Sequence, residues 1–205
     1  MKALSLMQPW ATLVAIGEKQ FETRSRNWTY RGDFLIHASK KMNDEAKRLA
    51  RTDLVKNICS TAGIEELQLG KIIGIATIEG SYETQLADDF FFEQPNLYPT
   101  GKLSQKAIEI EWDINVKREK ALGDYSPGRY FYELHSAKMF KHFVPVNGSV
   151  ILGWDFDPRI CVGCGCTEEN CSECIAADGH PCYWVNDHLC SSCHKRIKKS
   201  INGKK

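Results

Sequence analysis

LSLMQPWATLVAIGEKQFETRS, Leu4–Ser25, passes from an apolar helical pattern into a charged, alternating one. Around its start, Ala3 to Leu6 read as a short strand. Pro9 then suits the first turn of a helix, where its missing N–H is no loss. Trp10, Leu13 and Val14 share one helical face, so Trp10 is expected to pack inward, and Gly17 is the natural stop beyond the last turn. From Gln20 the pattern alternates: Gln20, Glu22 and Arg24 face one way, Phe21 and Thr23 the other. A helix thus hands over to a half-buried strand through a charged turn. Lys19 lies just past the helix end, where the helix dipole favours a cation. By spacing alone, Glu22 and Arg24 form a surface ion pair worth ~0.2–1 kcal/mol.

Working outward, Arg31, Gly32 and Asp33 read as a turn, and Phe34 to Ala38 as a second strand, apolar enough to be buried. Asn43 caps an expected helix through about Cys59, with Ala46, Leu49, Ala50, Leu54 and Ile58 at helical spacing and Gly63 at its end. Lys71 to Ile78 is a strand whose central Gly74 marks a bulge or a close backbone approach. Phe90 to Lys106 reads as a long loop and Ile108 to Ile114 alternates like a strand. Gly123 to Gly128 is a turn, and Arg129 to Leu134 another strand. A last apolar run ends at Gly153 and Trp154, and Asp155 to Ile160 separates this body from a cysteine-rich end. Short strands with a few helices among them favour a small mixed barrel over a doubly wound sheet.

The chain has 205 residues and a net charge of +1, enough for one domain and an appendage but without a global field that would itself attract nucleic acid. No charged leader precedes a long apolar segment, and no apolar run is long enough to span a bilayer, so a soluble cytoplasmic protein is expected. Nine cysteines in a reducing compartment point to metal before disulfides, and all but Cys59 lie at the end of the chain.

The opening stretch, followed by W-x-Y-R-G at Trp28 to Gly32 and LIHAS at Leu35 to Ser39, resembles the ASCH domain (activating signal cointegrator homology domain) of the PUA-like superfamily. The family's L-x-Q-P-W-A helix start, G-x-K-x-x-E-x-R signature and G-x-Y-x-P-G-R-Y strand occur in order at Leu6 to Ala11, Gly17 to Arg24 and Gly123 to Tyr130. The resemblance covers residues 1–156. It implies an α+β fold, a PUA-like small β-barrel with flanking helices, and a cleft with Lys19, Glu22, Arg24 and Arg31 at its mouth. Tyr30, Trp28 and Trp10 are then candidates to stack a base, with core packing the favoured reading for Trp10, and His37 is a further binding candidate. In hydrolase-type relatives a lysine of the signature works beside a threonine three positions on. Lys19 matches the lysine, but Glu22 stands where the hydroxyl nucleophile would be.

Residues 157–205 form the second unit. Cys161 and Cys164, Cys171 and Cys174, and Cys190 and Cys193 are C-x-x-C pairs, joined by the lone Cys166 and Cys182. Tetrahedral Zn²⁺ takes four thiolates at ~2.3 Å, so eight cysteines suit two closed, structural ions. A nested pairing puts Cys161, Cys164, Cys190 and Cys193 on one ion and Cys166, Cys171, Cys174 and Cys182 on the other; sequential and cross-braced pairings fit the spacing too. So short a segment needs metal to fold. It resembles cysteine-rich zinc modules of phage and bacterial proteins, which implies a phage or prophage setting. The tail from His194 carries six lysines and arginines and no acid, a local patch for phosphates or a solvated terminus.

The sequence therefore reads as an ASCH barrel that binds nucleic acid, with RNA the expected partner, or a modified nucleotide, assisted by a structural zinc module. Two alternatives stand beside it. One is an enzyme on RNA or nucleosides, a nuclease or amidohydrolase using Lys19 and Glu22. The other is an adaptor whose zinc module docks a protein partner.

Overall fold

Residues 34–38 are buried without exception, and their surroundings explain why an unbroken apolar run was needed there. They belong to β3 (Gly32–Ala38), which pairs in parallel with β1 (Lys2–Leu6) on one side and antiparallel with β4 (Lys71–Glu83) on the other. In this computed structural model, residues 1–84, 115–146, 153–155, 159–168 and 170–202 are described. The expected long loop at Phe90 to Lys106 and the alternating strand at Ile108 to Ile114 lie outside them.

The sheet continues through β5 (Tyr130–Pro145), β2 (Phe21–Arg24) and β6 (Trp154–Asp155) in the order β2-β5-β4-β3-β1-β6 and curls into a half-barrel. The α+β class expected from the sequence is the class observed. Alternation splits the apolar residues between two faces. Leu4, Leu6, Phe34, Ile36, Ile73 and Ile78 pack with Ala11 and Val14 of helix α1 (Trp10–Ala15). On the other face Ala3, Leu35, Ile72 and Phe140 meet Ile160. Ile160, read from the sequence as the end of a linker, is thus a core residue beneath the sheet.

Local chemistry sets the helix ends. The buried Gln8 caps α1, its Oε1 accepting from Thr12 N at 3.0 Å while its Nε2 donates to Gln68 O at 2.8 Å. Gly17 ends the helix with φ +80°, a conformation that glycine adopts without steric cost. Gly74 is where α1 and β5 press on β4. A Cβ there would lie 2.6 Å from Lys138 O and 3.2 Å from Ala15 Cβ, beside a break in register. The close approach expected at Gly74 is present.

Two expectations are corrected. The helix from Asn43 is not continuous but forms α2 (Asp44–Ala50) and α3 (Asp53–Thr61). Thr52 is extended between them and caps the second, its hydroxyl accepting from Val55 N and donating to Leu49 O at 2.7 Å. The strand expected to end at Leu134 runs on to Pro145. Register breaks against β4 at Ile72/Gly74, Ile75/Thr77 and Ile78/Gly80 spoil the two-residue period that the sequence would otherwise display.

Residues 115–121 are helical and are called α4. The cysteine-rich end comprises α5 (Ser172–Asp178), a hairpin of β7 (Trp184–Asn186) and β8 (Leu189–Cys190), and α6 (Ser191–Asn202). The basic tail is therefore helical through Asn202. No described helix is long and apolar enough to cross a membrane.

Candidate nucleic-acid cleft and cysteine centre

Strand β2 carries the charged signature and pairs with β5 in the register Phe21↔Glu133, Glu22↔Tyr132, Thr23↔Phe131 and Arg24↔Tyr130. The two sequence motifs, more than a hundred residues apart, are hydrogen-bonded neighbours. Beside them opens a cleft of about 530 Å³, bordered among others by Trp10, Lys19, Glu22, Arg24, Lys41 and Arg129. That volume lies within the ~300–1,000 Å³ of small-molecule sites.

Lys19 is not a free cation at the rim. It is 1% exposed and its Nζ lies 2.6 Å from Glu119 Oε1. The second oxygen of Glu119 accepts from Gln20 N at 3.0 Å, and Tyr125 donates its hydroxyl to Oε1 at 3.3 Å. These bonds satisfy the carboxylate that makes burial of the lysine tolerable. Glu22 and Arg24 do pair, Nε to Oε1 at 2.8 Å, but more deeply than a surface pair, with the Glu22 side chain 10% exposed. Arg24 Nη2 also donates to Ser5 O at 2.8 Å. The guanidinium is held from two sides and the residue borders the cleft. Arg129 also borders the cleft and is positioned by Asp124, whose carboxylate lies 3.2 Å from Nε and whose carbonyl accepts from the same nitrogen at 3.1 Å. A hydrogen bond from Ser126 holds the Asp124 carboxyl below the usual range, keeping it ionised beside Arg129.

Trp10 turns out to be a wall of the cleft, not core packing. Its indole N–H donates to Leu122 O at 2.7 Å, tying α1 to the end of α4, and the residue is partly exposed along the cleft. Trp28 and Tyr30 are placed elsewhere. Their rings stack on each other at 4.9 Å, and the Tyr30 hydroxyl donates to Asp33 O at 2.6 Å. Arg31 binds the carbonyls of Trp28 and Tyr30 and reaches the Ser81 hydroxyl. Neither Tyr30 nor Arg31 lines the cleft. His37 is buried behind it, with Nδ1 2.8 Å from Ser5 Oγ. Burial, then the charge of Lys40, holds its ring below the ordinary value of 6.5.

Sequence reasoning missed Glu119, Lys41, Asp124 and Arg129 as neighbours of the signature. Arg129 stood inside the G-x-Y-x-P-G-R-Y motif and could have been found there. Glu119 had no such flag, since it sits in a run of mixed charge, Lys117 to Lys120.

In the second centre Cys161, Cys164, Cys190 and Cys193 bring their sulfurs within 4.8 Å of one another, and so do Cys171, Cys174 and Cys182. Cys166 lies 3.7 Å from Cys182. Cys164, Cys166, Cys174 and Cys190 form an overlapping group. The edges Cys164–Cys174, Cys164–Cys190 and Cys174–Cys190 measure 4.0, 3.9 and 3.8 Å. Four sulfurs at ~2.3 Å from a tetrahedral Zn²⁺ are ~3.8 Å apart, so the cluster can hold metal and is consistent with zinc. Hydrogen bonds from Cys164 and Cys166 hold the Cys161 thiol far below its usual range, while the same bond to Cys161 pushes Cys164 above it. Burial, then the Cys161 charge, pushes Cys193 up to about 12. One thiolate discourages the next, and a divalent cation removes that conflict.

The molecule is thus a small α+β half-barrel with a polar cleft beside its second strand, carrying a cysteine-rich module. The chain belongs to the ASCH domain family, whose pattern matches residues 4–119. ASCH domains are of a nucleic-acid-binding type. Among solved structures the chain is similar to two point mutants of an ASCH protein from Zymomonas mobilis, at 12% and 13% identity. The alignments cover 97% of this chain in both cases, and 94% and 96% of those chains, with a TM-score of 0.35 for each. No curated protein matches the chain significantly in sequence.

Proposed function

We propose that this protein binds RNA, or a modified nucleotide within it, through the ASCH cleft, and that its cysteine module is folded by two structural Zn²⁺ ions and adds backbone affinity. The observation that carries the first half is that Arg24 and Arg129 border the same cleft as the partly exposed Trp10. Two guanidiniums held by carboxylates and carbonyls are pre-set to meet phosphate oxygens, and an indole face stacks a base with ~1–3 kcal/mol. The helical tail supports the second half, since Lys195, Arg196, Lys198 and Lys199 are all exposed on α6. A compartment with reduced thiols, as in the cytoplasm, suits free cysteines awaiting metal.

Hydrolysis is the weaker reading. Lys19 is tied to Glu119 and Glu22 to Arg24, so neither is poised as a base or an oxyanion donor. Titration of labelled single-stranded RNA at two salt concentrations, with wild type, Arg24→Ala and Arg129→Ala, tests the proposal, followed by a denaturing gel of the same samples. Salt-sensitive binding to an intact strand, weakened by either variant, is expected. Equal binding by all three proteins would remove the cleft from the account, and a cleaved strand would replace binding with catalysis. For the metal, native mass spectrometry is expected to find two zinc ions per folded chain; a folded chain with none would end that part of the proposal.

A further inference from the structure

A second polar groove, of about 280 Å³, lies where β5 meets the cysteine module. Lys71 and Lys141 contribute its charge, Phe143 an aromatic wall, and Asn170 and Ser172 the polar edge on the module side. Its two walls are fastened together. Ile160 is sunk into the core beneath the sheet, and Lys138 Nζ donates to Val162 O and Gly163 O at 3.3 Å each. The groove is therefore built by the fold, not by a chance approach of side chains.

A line of lysines at one end of the sheet joins this groove to the first cleft. Lys41 borders the cleft, and Lys40 precedes it in the chain. The Lys40 side chain lies across Gly70, with its Cγ, Cδ and Cε 2.7, 3.3 and 2.9 Å from where a glycine Cβ would stand. Gly70 in turn leads into Lys71, which pairs with Ala38 on one side and Pro145 on the other. Arg24, Lys41, Lys40, Lys71 and Lys141 thus follow one another from cleft to groove, with Trp10 at one end and Phe143 at the other. A track of cations with aromatic faces beside it is a means by which proteins hold single strands, the cations following phosphates and the rings taking bases.

We infer that one single strand of nucleic acid runs from the ASCH cleft across Lys40 into the groove between β5 and the cysteine module. The inference rests on the cleft reading above and adds a second anchoring point. It makes the module a wall of the binding site, so that affinity depends on strand length.

The test compares oligouridylates of about 4 and about 16 nucleotides, the range of single-stranded site sizes. They are bound to the full chain in its metal-loaded form. For Lys71→Gln/Lys141→Gln the 16-mer is expected to bind about tenfold more weakly, with the slope of log affinity against log salt reduced by ~1.4 for two lost phosphate contacts. The 4-mer, held in the cleft, is expected to bind as before. The exposed Lys141→Gln alone, with its melting temperature and metal content checked against wild type, is expected to show roughly half the slope change. Unchanged binding of the 16-mer, or equal weakening of both lengths, overturns the continuous path while leaving the cleft in place. Weakening by the lysine variant with no effect of Arg24→Ala on either length removes the cleft and the path together. Failure of both lengths to bind does the same.

Discussion

The barrel and the cysteine module are stabilised by different means. In the barrel Phe34, Leu35, Ile36, Ile72 and Ile73 have no exposed surface. In the module the buried cluster is made of cysteines, while Ile175, Tyr183, Val185 and Ile197 remain exposed. The first can be stabilised by removing apolar surface from water; the second has too little of that surface to do so. The larger part of the chain is thus expected to fold by itself and the smaller to await an ion, although Ile160 and Lys138 fasten them together.

Metal removal should separate the two regions by the widest margin. A strong chelator should abolish amide protection over residues 159–202 and leave β3 and β4 protected, since structural zinc supplies ~10–16 kcal/mol in small zinc domains. Uniform loss of protection across both regions would mean that the barrel too depends on the ion. Next in size, Lys19→Ala should destabilise the barrel by ~3–5 kcal/mol in urea unfolding, because it strands a buried Glu119 carboxylate. Pairing Lys19→Met with Glu119→Leu should recover most of that loss, and failure to recover would point to a role for the charges beyond cancelling each other.

Ile160→Ala sharpens the comparison at the seam. It should cost ~2–5 kcal/mol and show as weakened sheet protection, even though the residue lies next to Cys161 of the cysteine cluster. A change confined to the module would contradict its place in the barrel core. The smallest effect is electrostatic. The folded chain resists the proton on His37 that the unfolded chain accepts near the ordinary value of 6.5. Stability present above that value should therefore fall as pH drops through it, and His37→Gln should flatten the fall. Identical pH profiles for the two proteins would place the acid sensitivity elsewhere.

Much of the barrel was legible because its signals are local. Pro9 and Gly17 bracket one helix, the apolar run from Phe34 fits a strand covered on both faces, and Gly74 marks a close contact. The misses arise where neighbours override period. Thr52 splits a pattern that looked continuous through Cys59, and register breaks hide the second half of β5. The cleft was half legible. Its signature strand could be read, but Glu119, which turns Lys19 from a rim cation into a buried partner, lies a hundred residues away with nothing nearby to single it out. Trp10 was misread because helical spacing says which residues share a face, not where that face ends.

RNA is expected to lie in the ASCH cleft, and not on the basic helix alone. Photo-crosslinking of 4-thiouridine-substituted single-stranded RNA to the full chain, with the modified residues mapped by mass spectrometry, tests it most directly. Adducts are predicted at Trp10 and on the segments carrying Arg24 and Arg129, with Phe143 added for longer strands. Adducts confined to residues 191–202 would contradict the claim and leave the barrel as a scaffold for a charged helix.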